Sequence, residues 1–181
     1  MKIAEMMKLD VKSCHGRDFL NKAAKMMWDN DCGCLPVIDA EGKVAGIITD
    51  RDITMAAYTQ GTALHAIRVE SAMTRNVIAC SPGDDLQTVQ ELMRQNQVHR
   101  VPVIDLDGKL VGIVSINDLA LAAQQRRKEE IAGITNGDIS QTLGAISQPR
   151  GHVFDQIGFA PEAGEMEFVP GPPPKRGPWR R

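Results

Sequence analysis

Leu35-Pro36-Val37-Ile38-Asp39 returns as Val101-Pro102-Val103-Ile104-Asp105, 66 positions downstream, and this repetition limits the chain to folds that are built twice. At the same offset Gly42-Lys43 returns as Gly108-Lys109, Gly46-Ile47 as Gly112-Ile113, and Asp52 as Asp118. Laying Met6–Ile53 on Ala72–Leu119 without gaps gives 16 identities in 48 positions. Ordinary composition would give roughly 6%. The chain therefore holds two copies of one unit, at about 1–65 and 66–130. A unit of about 60 residues buries too little surface to be stable alone, so the copies should pack on each other through their sheets. That packing implies a pseudo-twofold axis with two similar clefts between the copies.

Each copy reads as strand, helix, strand, strand, helix, a mixed α/β (α+β) unit. In the second, Val77-Ile78-Ala79-Cys80 reads as a short strand and Ser81-Pro82-Gly83-Asp84 as a turn and helix start. Leu86, Val89, Leu92 and Met93 recur at helical spacing through Asn96. Val101–Ile104 reads as a buried strand, Leu106–Lys109 as a tight hairpin turn and Leu110–Ser115 as the returning strand. A second helix is expected from Leu119 to about Glu130. In the first copy Leu20, Ala23, Ala24 and Met27 mark the helix, Ala40–Lys43 the turn, and Thr54 to about His65 the closing helix.

The doubled pattern, hydrophobic-Pro-Val-Ile-Asp, a Gly-Lys hairpin, then Gly46-Ile47-Ile48-Thr49-Asp50-Arg51-Asp52 or Gly112-Ile113-Val114-Ser115-Ile116-Asn117-Asp118, resembles the tandem cystathionine β-synthase-type domain pair, or Bateman module. The resemblance covers about residues 3–125 and is nearest to small bacterial proteins made of little beyond one such pair. It implies a regulatory module that binds adenosine-containing nucleotides rather than a catalytic domain.

The repeated motif suits that role on its own chemistry. Thr49 and Asp52, like Ser115 and Asp118, stand three apart where a strand runs into a helix. A carboxylate can accept from both vicinal hydroxyls of a ribose, while the hydroxyl and free backbone N–H groups suit a nearby phosphate or ribose oxygen. The same two carboxylates would also serve as helix caps, and the roles are compatible. Arg100 offers a planar fork for phosphate oxygens and His99 a further donor; as a plain alternative the pair decorates a helix end. The first copy has Gly33-Cys34 at that place, with Arg51 as a partial substitute or a solvated partner of Asp50 or Asp52. One strong site centred on the second copy and one weak or empty site are therefore expected. Adenine needs an apolar slot: Val77, Ile78, Val101 and Ile113 are candidates for the second copy, and Val11, Leu35 and Ile47 for the first. All are equally suited to the core.

Net charge −2, a pI of about 6.1 and 4% aromatic residues argue against bulk nucleic acid or an anionic membrane surface as partners. No apolar run approaches the ~20 residues that a bilayer demands, and the N-terminus lacks a secretion signal. Four cysteines do not form a disulfide framework, so a reduced, cytoplasmic protein is expected. Cys14 and Cys80 are repeat equivalents, and Cys32-Gly33-Cys34 precedes the first Pro-containing strand. A Cys14/His15/Cys32/Cys34 metal cluster, redox sensing by Cys32 and Cys34, and ordinary apolar packing are the readings open to them.

Residues 131–181 are rich in Gly and Pro and read as a largely disordered tail with at most a short helix. The last eleven residues hold four Pro and four basic residues, which suits docking on an acidic protein partner as well as a passive tail. The expected function is a non-enzymatic, homodimeric module with no obligatory cofactor, signalling by conformational change when an adenosine nucleotide (AMP, ADP, ATP or a relative) binds between repeats. A cysteine-based redox or metal protein and a purely structural dimerisation module are the alternatives.

Overall fold

The computed structural model describes residues 1–126 and 136–148. The first repeat contains β1 (Cys14–His15), α1 (Leu20–Asp29), β2 (Cys34–Ile38), β3 (Val44–Thr49) and α2 (Asp50–Gln60). The second contains α3 (Leu86–Asn96), β4 (Arg100–Ile104), β5 (Leu110–Ser115) and α4 (Ile116–Arg126), followed by α5 (Asn136–Ile146). β2 is central in a three-stranded sheet, parallel to β1 and antiparallel to β3, and β4 pairs antiparallel with β5. The expected strand at Val77–Cys80 reduces to a single parallel bridge, Cys80 to Val103, the counterpart of Cys14 on Val37.

Both hairpins turn by the same device. Asp39 Oδ1 accepts the N–H groups of Glu41 (3.0 Å) and Lys43 (2.8 Å), and Asp105 Oδ1 those of Asp107 (3.0 Å) and Lys109 (2.8 Å). The turn needs a positive φ, which Gly42 (81°) and Gly108 (80°) supply without a Cβ penalty. The two turns then meet each other. Lys43 bridges Lys109 antiparallel, with Val44 N–H donating to Gly108 O (3.1 Å) and Leu110 N–H to Gly42 O (3.2 Å). Lys43 and Lys109 are repeat equivalents, so the pseudo-twofold axis passes between them.

Strand alternation divides the side chains between core and cleft. Leu35, Val37 and Ile48 join Leu20, Ala23 and Met27 in one core, and Val101, Val103 and Val114 join Leu86, Val89 and Met93 in the other. Each core is completed by the leading segment of the other repeat. Ile3 is buried in the second core and its N–H donates to Asp84 O (3.0 Å); Val69 is buried in the first and donates to Asp18 O (2.9 Å). Farther along, Lys8 pairs with Ile113 and Thr74 with Ile47. Gly112 and Gly46 make room for this crossing, since a Cβ on either would stand 2.6 Å from Sδ of Met7 or Met73. The repeats therefore exchange their first residues, which contiguous units at 1–65 and 66–130 do not express.

Two helix ends differ from expectation. α2 stops at Gln60, where Gly61 adopts the left-handed conformation (φ 59°) that ends a helix, short of His65. α4 starts at Ile116, immediately after β5, and the expected end at Glu130 lies outside the described residues. α5 falls within the segment read as tail. Its Ile146 and Thr142 are buried and Ile139 packs on the second core, against α3 and α4. The Pro/Arg-rich terminus lies outside the described residues. No described helix is long and apolar enough to cross a membrane.

Candidate functional site

Where β5 runs into α4, Ser115 and Asp118 close a reciprocal set of bonds. Asp118 Oδ2 accepts Ser115 N–H (2.8 Å) and Ser115 Oγ–H (2.5 Å), while Asp118 N–H approaches Ser115 Oγ (3.3 Å). Thr49 and Asp52 do the same at the start of α2: Asp52 Oδ2 accepts Thr49 N–H (2.9 Å) and Oγ1–H (2.8 Å), and Thr49 Oγ1 accepts Asp52 N–H (3.2 Å). Both motifs thus cap their helices, satisfying amides that the first turn leaves orphaned. Capping engages only Oδ2. The second oxygen of each carboxylate remains for another partner.

Asp118 borders a cleft of about 300 Å³ between the repeats. Ile113, Ser115, Asn117 and Arg100 contribute from the second repeat, and Cys32, Cys34, Pro36, Asn30 and Asp31 from the first. The exchanged N-terminal segment supplies Lys8, Asp10, Val11 and Lys12. Asp118 is 8% exposed, and its Oδ1 meets Lys8 Nζ at 3.0 Å. Lys12 Nζ pairs with Asp10 Oδ1 at 2.7 Å. The cleft therefore offers a carboxylate at a helix start, apolar walls at Ile113, Val11 and Pro36, and basic groups at Lys8, Lys12 and Arg100.

The structure regroups the residues singled out from sequence. Asp118, Ser115, Arg100 and Ile113 come together as expected from one repeat. Leu35 and Val101 do not join them. Both are fully buried in the cores, and beside Leu35 it is Pro36 that reaches the cleft. Val11, assigned to the first site, lines the Asp118 cleft instead, because the leading segments cross. Val77 is half-buried and follows Thr74, which pairs with Ile47 beside Thr49; it belongs by repeat equivalence with Asp52 rather than Asp118. His99 is exposed and outside this cleft, its carbonyl accepting Ile116 N–H (2.9 Å). Arg51 is also exposed, with its N–H on Asp50 Oδ1 (2.7 Å). Lys8, Asp10, Lys12 and Asn117, with Asn30, Asp31 and Pro36 from the first repeat, are lining residues that sequence reasoning missed. The repeat offset signals Asn117 as the partner of Arg51, but nothing local signals the three from the crossing segment.

Three of the four cysteines, Cys14, Cys34 and Cys80, are buried. Burial pushes the Cys14 and Cys80 thiols up to about 12, with Asp18 and Asp84 respectively adding to the rise. Burial also raises Cys34, against the opposing pull of the neighbouring Arg100 guanidinium. Thiols held protonated are poor nucleophiles and poor metal ligands. Among the described residues no three His, Cys, Asp or Glu side chains converge as a metal site.

Two interlocked repeats around a shared polar cleft define a paired-domain class of protein. The CBS domain model matches residues 3–58 and 69–124, and the chain belongs to the CBS-domain family. It is similar to the uncharacterized protein YlbB of Bacillus subtilis (strain 168), 32% identical over 143 residues, covering 76% of this chain and 93% of that one. The CBS domain pair of protein MJ0100, solved in complex with 5′-methylthioadenosine and S-adenosyl-L-methionine, aligns with a TM-score of 0.63 at 27% identity, over 70% of this chain and 98% of that one. A homoserine O-acetyltransferase of Methanosalsum zhilinae is 32% identical over 117 residues, which cover 65% of this chain but 23% of the enzyme. The pair thus occurs both nearly alone and as a minor part of an enzyme.

Proposed function

We propose that this chain is a non-enzymatic regulatory module whose Asp118 cleft binds an adenosine nucleotide or a related adenosine compound. The carrying observation is the division of labour at Asp118: Oδ2 caps α4, leaving Oδ1 aimed at a cleft with apolar and basic walls. A ribose diol would take Oδ1, adenine the Ile113, Val11 and Pro36 surface, and a phosphate the Arg100 and Lys8 side. The adenosine compounds bound by the MJ0100 pair support this ligand class. Ligand binding signals by favouring one arrangement of the repeats, which requires different affinity for two arrangements.

A homodimer is the assembly this reading uses. Met55 and Tyr58 lie three apart on α2 and are exposed, as is Leu121 on α4, the repeat equivalent of Met55. A matched apolar pair across the pseudo-axis suits a second copy of the chain. The Pro/Arg-rich terminus would dock a protein partner with an acidic surface.

Calorimetry with AMP tests the site. Saturable binding in the wild type, weakened at least tenfold in Asp118→Asn and in Arg100→Ala with melting unchanged, is expected. Wild-type affinity in both variants would contradict it.

A further inference from the structure

The two repeats hold their crossing segments in the same backbone geometry yet place different side chains beside the two carboxylates. Lys8 N–H donates to Ile113 O (2.9 Å) and accepts at its own carbonyl from Ile113 N–H (3.0 Å). Thr74 exchanges the same two bonds with Ile47, both at 2.9 Å. From this anchored position Lys8 reaches Asp118 Oδ1 at 3.0 Å. Thr74, 66 residues on, carries no charge, and no ion pair reaches Asp52 among the described residues.

We infer that Lys8 is a charge filter, making the Asp118 cleft selective for adenosine ligands with an anionic 5′ group. The inference rests on the reading that a ribose meets Asp118. Oδ2 already accepts two bonds from Ser115, and Lys8 takes one of the two acceptor positions on Oδ1 of a nearly buried carboxylate. Both hydroxyls of a ribose diol can engage Oδ1 only by moving the ammonium aside. Lys8 is 65% exposed and free to swing, but its charge then needs a new partner. A 5′-phosphate supplies one within the cleft that Lys12 and Arg100 also line. A neutral thioether or a sulfonium cation supplies none, so such a ligand breaks the ion pair without replacing it. At Asp52 the same diol meets no lysine, and that side discriminates little by charge.

AMP and 5′-methylthioadenosine share the adenosine frame and differ in the charge of the 5′ group, so the ratio of their dissociation constants reads the filter. Calorimetry would use the full chain as wild type, Lys8→Thr (the residue the other repeat carries), Lys8→Gln and Asp118→Asn. Wild-type protein is expected to prefer AMP. Both Lys8 variants should lose roughly ten- to a hundredfold of that preference, chiefly through tighter 5′-methylthioadenosine binding. Thr74→Lys should raise AMP preference at the other carboxylate. An unchanged ratio in both Lys8 variants, with Asp118→Asn weakening both ligands, would overturn the filter and leave the cleft assignment standing. Wild-type affinity for both ligands in Asp118→Asn, or no binding of either by the wild type, would overturn the cleft assignment and the filter together. Asn at 118 keeps a cap acceptor, and matched melting curves confirm that folding is not what changed.

Discussion

The two repeats start their second helices with the same bonds, Thr49 with Asp52 and Ser115 with Asp118, and differ one oxygen farther on. At Asp118 the remaining oxygen is met by Lys8 from the opposite repeat; the repeat equivalent of Lys8 is the uncharged Thr74, which pairs with Ile47. A second difference lies at the axis, where Arg100 stands opposite its own equivalent, Cys34, and beside it. Duplication thus preserved the scaffold and the caps, whose loss would cost stability, while charge diverged at the cleft. Chemical asymmetry on a symmetric frame would let the surroundings of Asp52 and Asp118 answer to different ligands.

The exchange of leading segments is the feature on which that comparison depends, and its disruption should give the largest effect. Ile3→Ala deletes a fully buried side chain and should cost about 2–5 kcal/mol. Because Ile3 sits in the core of the second repeat, hydrogen exchange should show protection lost first in α3 and β4, with α1 and β2 spared. Equal loss in both repeats would break the comparison.

A smaller effect should separate the two crossing points. A Cβ at Gly46 would meet Thr74 O at 3.0 Å as well as Met73, whereas at Gly112 the backbone contact is Lys8 O at 3.2 Å. Gly46→Ala should therefore destabilise more than Gly112→Ala, within the ~1–3 kcal/mol range of overpacking, as read by chemical denaturation.

The smallest difference is one of pH. Burial pushes the Asp18 carboxyl upward, but hydrogen bonds from Lys22 and from His15 N–H, with the charge of Lys22, outweigh it and hold the group below its ordinary 3.8. In the second repeat Thr88 stands where Lys22 would be. A carboxyl depressed on folding stabilises above its unfolded value and stops doing so as the pH falls through its folded one. Asp18→Asn should therefore lose about 1 kcal/mol at pH 7, and the deficit should shrink on acidification below about pH 4. Melting curves of both proteins at pH 7 and pH 3 check this.

Local chemistry was legible in the sequence wherever a residue acts on its own neighbours. The Asp39 and Asp105 turns, the helix of Leu86, Val89 and Met93, and the paired caps all follow from spacing. What spacing does not carry is which repeat a segment serves. Residues 1–8 and 67–74 are short, and their apolar positions fit either core, so spacing assigns Val11 to the first site although it lines the Asp118 cleft. Leu35 and Val101 show the other limit: a Pro-containing strand buried along its length hides which face meets the cleft. α5 did carry a signal, with Ile139, Thr142 and Ile146 on one face, which the Gly-rich surroundings masked.

The most direct test of the inequality between the clefts is AMP titration by calorimetry of Asp52→Asn beside Asp118→Asn. One AMP bound tightly per chain, retained in Asp52→Asn and lost in Asp118→Asn, is the predicted result. Retention in Asp118→Asn with loss in Asp52→Asn, or equal weakening in both, would contradict it.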